Sequence, residues 1–141
     1  MTPSAPPLDE IGEVSATWPL RTHLDFPPEP SSVRQARRFA GLIADEWSLP
    51  DRADSVRLIV SELFTNALEH AAAGPPLHLW LLSDGARVVV LVGDASQDPP
   101  MLVAEDTDAI GGRGLAIVHE LSRGSWGWFT RQTGKVVWAM I

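Results

Sequence analysis

Apolar and polar positions alternate with two different periods along the chain, and the change of period marks out the elements. Trp18 to Phe26 has strand character and stops at Pro27-Pro28. Pro30-Ser31-Ser32 reads as a helix start. Val33, Ala36, Ala40, Ile43, Ala44 and Trp47 follow at helical spacing until Leu49-Pro50 ends the run. Asp51 or Asp54 is placed to cap the next helix. There Val56, Ile59, Val60, Leu63, Phe64, Ala67 and Ala71 recur on one face, and Gly74-Pro75-Pro76 terminates it. Leu77 to Leu82 and Arg87 to Val92 are strand-length apolar runs joined by Ser83-Asp84-Gly85-Ala86, a strong hairpin signal. Ala95 to Gly112 is polar and irregular, and a loop of that length usually has a function. Leu115 to Leu121 predicts a short helix. Trp126 to Arg131 and Lys135 to Ile141 predict a second hairpin across Gln132-Thr133-Gly134. The order β-α-α-β-β-loop-α-β-β predicts an α+β sandwich with its helices on one face of a largely antiparallel sheet.

Composition narrows the picture. With 141 residues, 45% of them hydrophobic, the chain fits one domain with a proper core. That domain is expected over residues 17–141, behind a Pro- and acid-rich tail (1–16) expected to be disordered. A net charge of −7 lacks the footprint of a general nucleic-acid binder, so no direct nucleic-acid partner is expected. The absence of cysteine excludes disulfides, thiol catalysis and thiolate metal sites. The N-terminus has no charged start followed by an apolar run, and Asp84 and Arg87 interrupt the longest apolar stretch. A cytoplasmic protein without membrane contact is the resulting expectation.

Three fragments carry candidate chemistry. Glu62 and Asn66, four apart on the strongest helix, form with His70 a polar stripe at the edge of the apolar face. A carboxylate and an amide carbonyl there suit Mg²⁺ and the orientation of a nucleophile, although polar residues border every amphipathic helix. Asp94, at the end of an apolar strand, can accept a hydrogen bond from an exocyclic amino group or simply open a turn. Gly111-Gly112-Arg113-Gly114-Leu115 opens the last helix, where backbone N–H groups favour an anion; a plain glycine hinge is the alternative. Neither a Walker A loop nor a nucleophile elbow is present, and His119 lacks the second histidine of a zinc-protease helix. The four histidines (23, 70, 78 and 119) show no ligand spacing. Trp47, Trp80 and Trp138 are expected in the core, and Arg34, Arg37 and Arg38 form a basic patch on the first helix.

Taken in order, these fragments resemble the GHKL superfamily, the ATP-binding domains of gyrase, heat-shock chaperones, histidine kinases and MutL. More closely they resemble the anti-sigma-factor serine kinases and short histidine-kinase-like regulators of actinobacteria. Glu62-Leu63-Phe64-Thr65-Asn66-Ala67-Leu68-Glu69-His70 matches the N box, Asp94-Ala95-Ser96 the next box, and Gly111 to Leu115 the second glycine box. Gly134-Lys135-Val136-Val137-Trp138 resembles the closing strand, with Val136 where threonine is frequent. The resemblance covers Trp18 to Ile141 and implies a Bergerat-type two-layer α/β sandwich with a mixed, mainly antiparallel sheet. It further implies ATP and Mg²⁺ as cofactors, with Asn66 binding Mg²⁺ and Glu62 activating the attacking hydroxyl. Asp94 would contact adenine N6, and Gly112, Arg113 and Gly114 would lie along the phosphates, with Leu115 also counted among the nucleotide-binding positions. The implied activity is a protein serine/threonine kinase acting on an anti-anti-sigma (STAS-type) protein, which also sequesters a sigma factor, often as a homodimer, and so regulates transcription. The chain lacks the phosphoacceptor hairpin of a complete sensor kinase, so autophosphorylation on histidine is not expected. The rival reading is a non-catalytic module that works only by binding sigma or anti-anti-sigma partners, with nucleotide as a switch or absent.

Overall fold

A computed structural model describes residues 18–70, 74–100 and 113–141. Its elements run β1 (Leu20–Phe26), α1 (Pro30–Glu46), a 3-10 turn (Pro50–Arg52), α2 (Ala53–His70), β2 (Leu77–Ser83), β3 (Val88–Asp94), α3 (Arg113–Leu121), β4 (Trp126–Arg131) and β5 (Gly134–Met140). The strands form a five-stranded sheet in the order β1-β2-β3-β5-β4. Every ladder among the described residues is antiparallel. The α+β sandwich expected from the sequence is therefore the architecture found. The expected N-terminal tail, and most of the irregular segment before α3, lie outside the described residues.

Local chemistry explains the boundaries. Pro30 occupies the first turn of α1, where its missing N–H costs nothing. Ser32 Oγ donates to Pro27 O (2.6 Å), tying the helix start to the end of β1. At the other end Leu49 N donates to Ala44 O and Ser48 N to Asp45 O, with Ser48 at φ 60°. That is a Schellman closure with serine where glycine is usual. The β2–β3 turn is held by Asp84 Oδ1, which accepts from the backbone N–H groups of Ala86 (2.9 Å) and Arg87 (2.7 Å).

The helices cover one face of the sheet: α1 packs on α2, and α2 packs on β3 and α3. Between these layers lies a core of Ile59, Leu63, Phe64, Leu79, Leu81, Val90, Val92 and Val137, with Phe26 meeting Phe64 edge-on. The opposite face carries a second apolar cluster of Trp18, Trp80, Leu82, Val89, Leu91, Val136 and Met140. Of the three tryptophans expected in the core, Trp80 lies in that outer cluster and Trp138 packs against it, whereas Trp47 packs on the helix-side core. β3 is buried at every position, which is why its sequence is a continuous apolar run without alternation. Among the described residues no helix is long and apolar enough to cross a membrane.

Candidate functional site

Burial of Ile59, Leu63, Phe64 and Ala67 fixes the rotation of α2 about its axis and so places Glu62 and Asn66 one turn apart at the edge of the buried face. Asn66 is itself buried, and its Nδ2 has no hydrogen-bond partner among the described residues. Such an orphan is uncommon, because leaving a buried amide unpaired costs on the order of 1–3 kcal/mol. The two ends of an amide have nearly the same shape, so a rotated Asn66 presents its carbonyl oxygen at the same point. As placed, Nδ2 would donate to an acceptor such as a phosphate oxygen; with the amide rotated, the carbonyl oxygen would face a hard cation such as Mg²⁺.

Glu62 is half-buried. Burial, followed by the nearby negative charge of Glu69, pushes its carboxyl above the ordinary carboxylate value, against a smaller opposing pull from Arg37 on α1. A carboxylate with a raised pKa beside an unpartnered amide is suited to accept a proton from a hydroxyl. His70 ends α2, and its side chain lies outside the described residues.

Asp94 is the last residue of β3, on the helix side of the sheet, and is buried. Lys135 stands directly opposite it in the β3–β5 register. The lysine Nζ donates to Asp94 Oδ2 at 2.9 Å and Oδ1 at 3.1 Å, and Oδ1 also accepts from Ser96 N at 2.8 Å. Asp94 thus anchors the turn after β3 and neutralises a buried cation at once. Oδ2 retains acceptor capacity for one further donor, compatible with an exocyclic amino group. Gly134 holds the β4–β5 turn against this point. At φ 153°, a Cβ there would stand 1.8 Å from Asp94 O, so only glycine fits.

The glycine segment is only partly described. Gly111 and Gly112 lie outside the described residues, as does the side chain of Arg113. Arg113 supplies the first residue of α3. Leu115 is buried in the helix-side core, where it secures α3 against α2 and the sheet rather than presenting its side chain to solvent. The expected lid over residues 95–110 is described only up to residue 100, where Gln97 Nε2 donates to Arg131 O (2.8 Å). The other end of α3 is tied down by Trp126 Nε1, which donates to His119 Nδ1 at 3.0 Å, so His119 has a packing role.

α2, with the carboxylate of Glu62 and the orphan amide of Asn66, packs on β3, which ends in the buried Asp94. Residues 26–141 match the sequence model of the histidine kinase-like ATPase domain. The chain belongs to that family. No curated protein matches the sequence. ATP is the ligand expected of this domain, whose matched span takes in Glu62, Asn66, Asp94 and the glycine segment together.

Two features are visible only in the folded chain. Lys135 is the only lysine among eleven basic residues, and it falls on the inward register of an apolar strand; that placement was the available signal. His23 and His78, which show no ligand spacing along the chain, are brought together by the β1–β2 pairing around Asp25.

Proposed function

We propose that this domain is an ATP- and Mg²⁺-dependent protein serine/threonine kinase whose substrate is a serine on an anti-anti-sigma (STAS-type) protein. The observation that carries the reading is the pairing of Glu62, with its raised pKa, and the orphaned amide of Asn66 one turn away on α2. Glu62 takes the proton of the serine hydroxyl as its oxygen bonds to the γ-phosphorus. The bond from that phosphorus to the β–γ bridging oxygen breaks, and ADP leaves. Mg²⁺ held through Asn66 would neutralise phosphate charge, since phosphoryl transfer asks mainly for positioning and electrostatic stabilisation. Asp94 reads the adenine amino group through its remaining acceptor site, and Gly112, Arg113 and Gly114 line the phosphates. The resemblance to actinobacterial anti-sigma kinases supports the choice of partner, sequestration of a sigma factor, a cytoplasmic setting and an outcome in transcription.

The test is transfer of label from γ-labelled ATP to a serine of a candidate anti-anti-sigma protein, alongside calorimetric titration with Mg²⁺–ATP. Wild type is expected to bind and transfer, and Asn66→Ala to bind more weakly and not transfer while remaining folded. Transfer at the wild-type rate by Asn66→Ala in excess Mg²⁺ would overturn the metal role.

One observation favours a second reading, a regulatory module without turnover. Lys135 already engages both oxygens of Asp94, which leaves the aspartate less free to read a base. Absence of Mg²⁺–ATP binding by folded wild-type protein would select that reading.

A further inference from the structure

On the outer face of the sheet, away from α2, three potential ligand groups converge. Asp25 on β1 lies opposite His78 on β2, and His23 sits two residues earlier on the same face of β1. His23 Nε2 is 2.8 Å and His78 Nδ1 2.6 Å from the same oxygen, Asp25 Oδ1, and the three ligand atoms lie within 4.8 Å of one another. The rings are held in place by stacking. His23 lies on Trp80 with centroids 5.0 Å apart and 20° between planes, and on His78 at 5.8 Å and 27°. Trp80 in turn is buried in the outer apolar cluster and carries Arg131 over its ring.

We infer that His23, Asp25 and His78 form a binding site for a borderline divalent transition-metal ion such as Zn²⁺, separate from the nucleotide site. Two imidazoles and one carboxylate are a donor set such ions favour over Mg²⁺ or Ca²⁺. With metal–ligand bonds of about 2.0–2.2 Å in a tetrahedral site, neighbouring ligand atoms sit about 3.3–3.6 Å apart, so each ring must move from Asp25 by about 0.5–1 Å to admit an ion, a shift available to partly exposed side chains. Both histidines are able to bind as neutral imidazoles by moving the ring proton to the other nitrogen. The hydrogen bonds to Asp25 are then replaced by metal bonds. All three side chains retain solvent access, from 25% for His78 to 47% for Asp25, so water is available to complete the coordination.

The test is calorimetric titration of tag-free full-length protein with Zn²⁺, for wild type and for His78→Ala, Asp25→Asn and His119→Gln. Wild type is expected to bind one Zn²⁺, with affinity reduced at least about tenfold by His78→Ala and by Asp25→Asn, and unchanged by His119→Gln. Asp25→Asn preserves size and hydrogen bonding, so it carries the test if His78→Ala fails to fold. Absence of Zn²⁺ binding by wild type would overturn the inference, as would binding that Asp25→Asn leaves intact. Because Glu62 and Asn66 lie on the helix side, Mg²⁺–ATP binding is expected to be unaffected by Asp25→Asn.

Discussion

Lys135 and Asp94 form a closed ion pair between neighbouring strands, with Nζ 2.9 Å from Oδ2 and side-chain exposures of 0% and 1%. The pair sits at the last residue of β3, the position proposed to read the adenine. Burying two charges is costly, and their attraction offsets that cost only while both are present.

Lys135→Met is therefore expected to destabilise the domain by about 3–5 kcal/mol, because it leaves the Asp94 charge without its partner. Asp94→Asn strands the lysine in the same way. The double variant should lose less than the two single losses combined. Urea denaturation of the four proteins gives the coupling directly, and additive losses would mean that the two side chains do not depend on each other.

Glu62→Gln is expected to lower phosphoryl transfer by about 10²–10⁴-fold while nucleotide affinity stays close to wild type. Its effect on stability has the opposite sign. Burial and Glu69 raise the Glu62 pKa in the folded state, so the folded protein holds that proton more tightly than the unfolded chain does. Its contribution to stability is present below the unfolded value, near 4.5, and is lost as pH rises through the folded one. Above that window Glu62→Gln should melt at a higher temperature than wild type, and the gain should vanish in acid. Thermal scans at neutral and acidic pH measure both arms.

Asn66→Ala removes a buried amide whose Nδ2 has no partner among the described residues, so its stability should stay within about 1 kcal/mol of wild type. Leu63→Ala, three residues earlier in the same core, should cost about 2–5 kcal/mol. Mg²⁺–ATP affinity should fall at least about tenfold in Asn66→Ala, as expected for loss of a group contacting the ligand or its metal. Comparing calorimetric titrations with unfolding curves separates a binding role from a packing role.

Two turn glycines should respond differently to alanine. At Gly134 the added Cβ would meet Asp94 O at 1.8 Å, whereas at Gly85 (φ 97°) it meets nothing within 4 Å. Gly85→Ala carries only the cost of a left-handed backbone, about 1–2 kcal/mol. Gly134→Ala must also displace the end of β3, so its loss should be larger and accompanied by weakened nucleotide binding. Unfolding midpoints of both variants, with calorimetry on the second, test this ordering.

Most elements were legible because their signals are local. Helix-period spacing in α2, Pro30 at the start of α1 and Asp84-Gly85 between β2 and β3 act within a few residues of themselves, and the structure places elements there. The continuous apolar runs of β2 and β3 were more ambiguous, since such a run marks a strand without saying which faces are covered. Only the packed sheet shows both faces buried, with Trp80 on the side away from the helices.

By itself, then, the sequence determined the order of elements, the α+β class and the positions of Glu62, Asn66 and Asp94 at element edges. The tertiary structure decided which of these groups face each other. Lys135 reaches Asp94 across 41 residues, and His78 reaches Asp25 across 53. Both meetings depend on strand register, and β5 pairs with β3 rather than lying at the edge of the sheet. Register is set by burial of whole strand faces against α2 and against the outer cluster, a balance summed over distant residues that no short stretch of sequence contains.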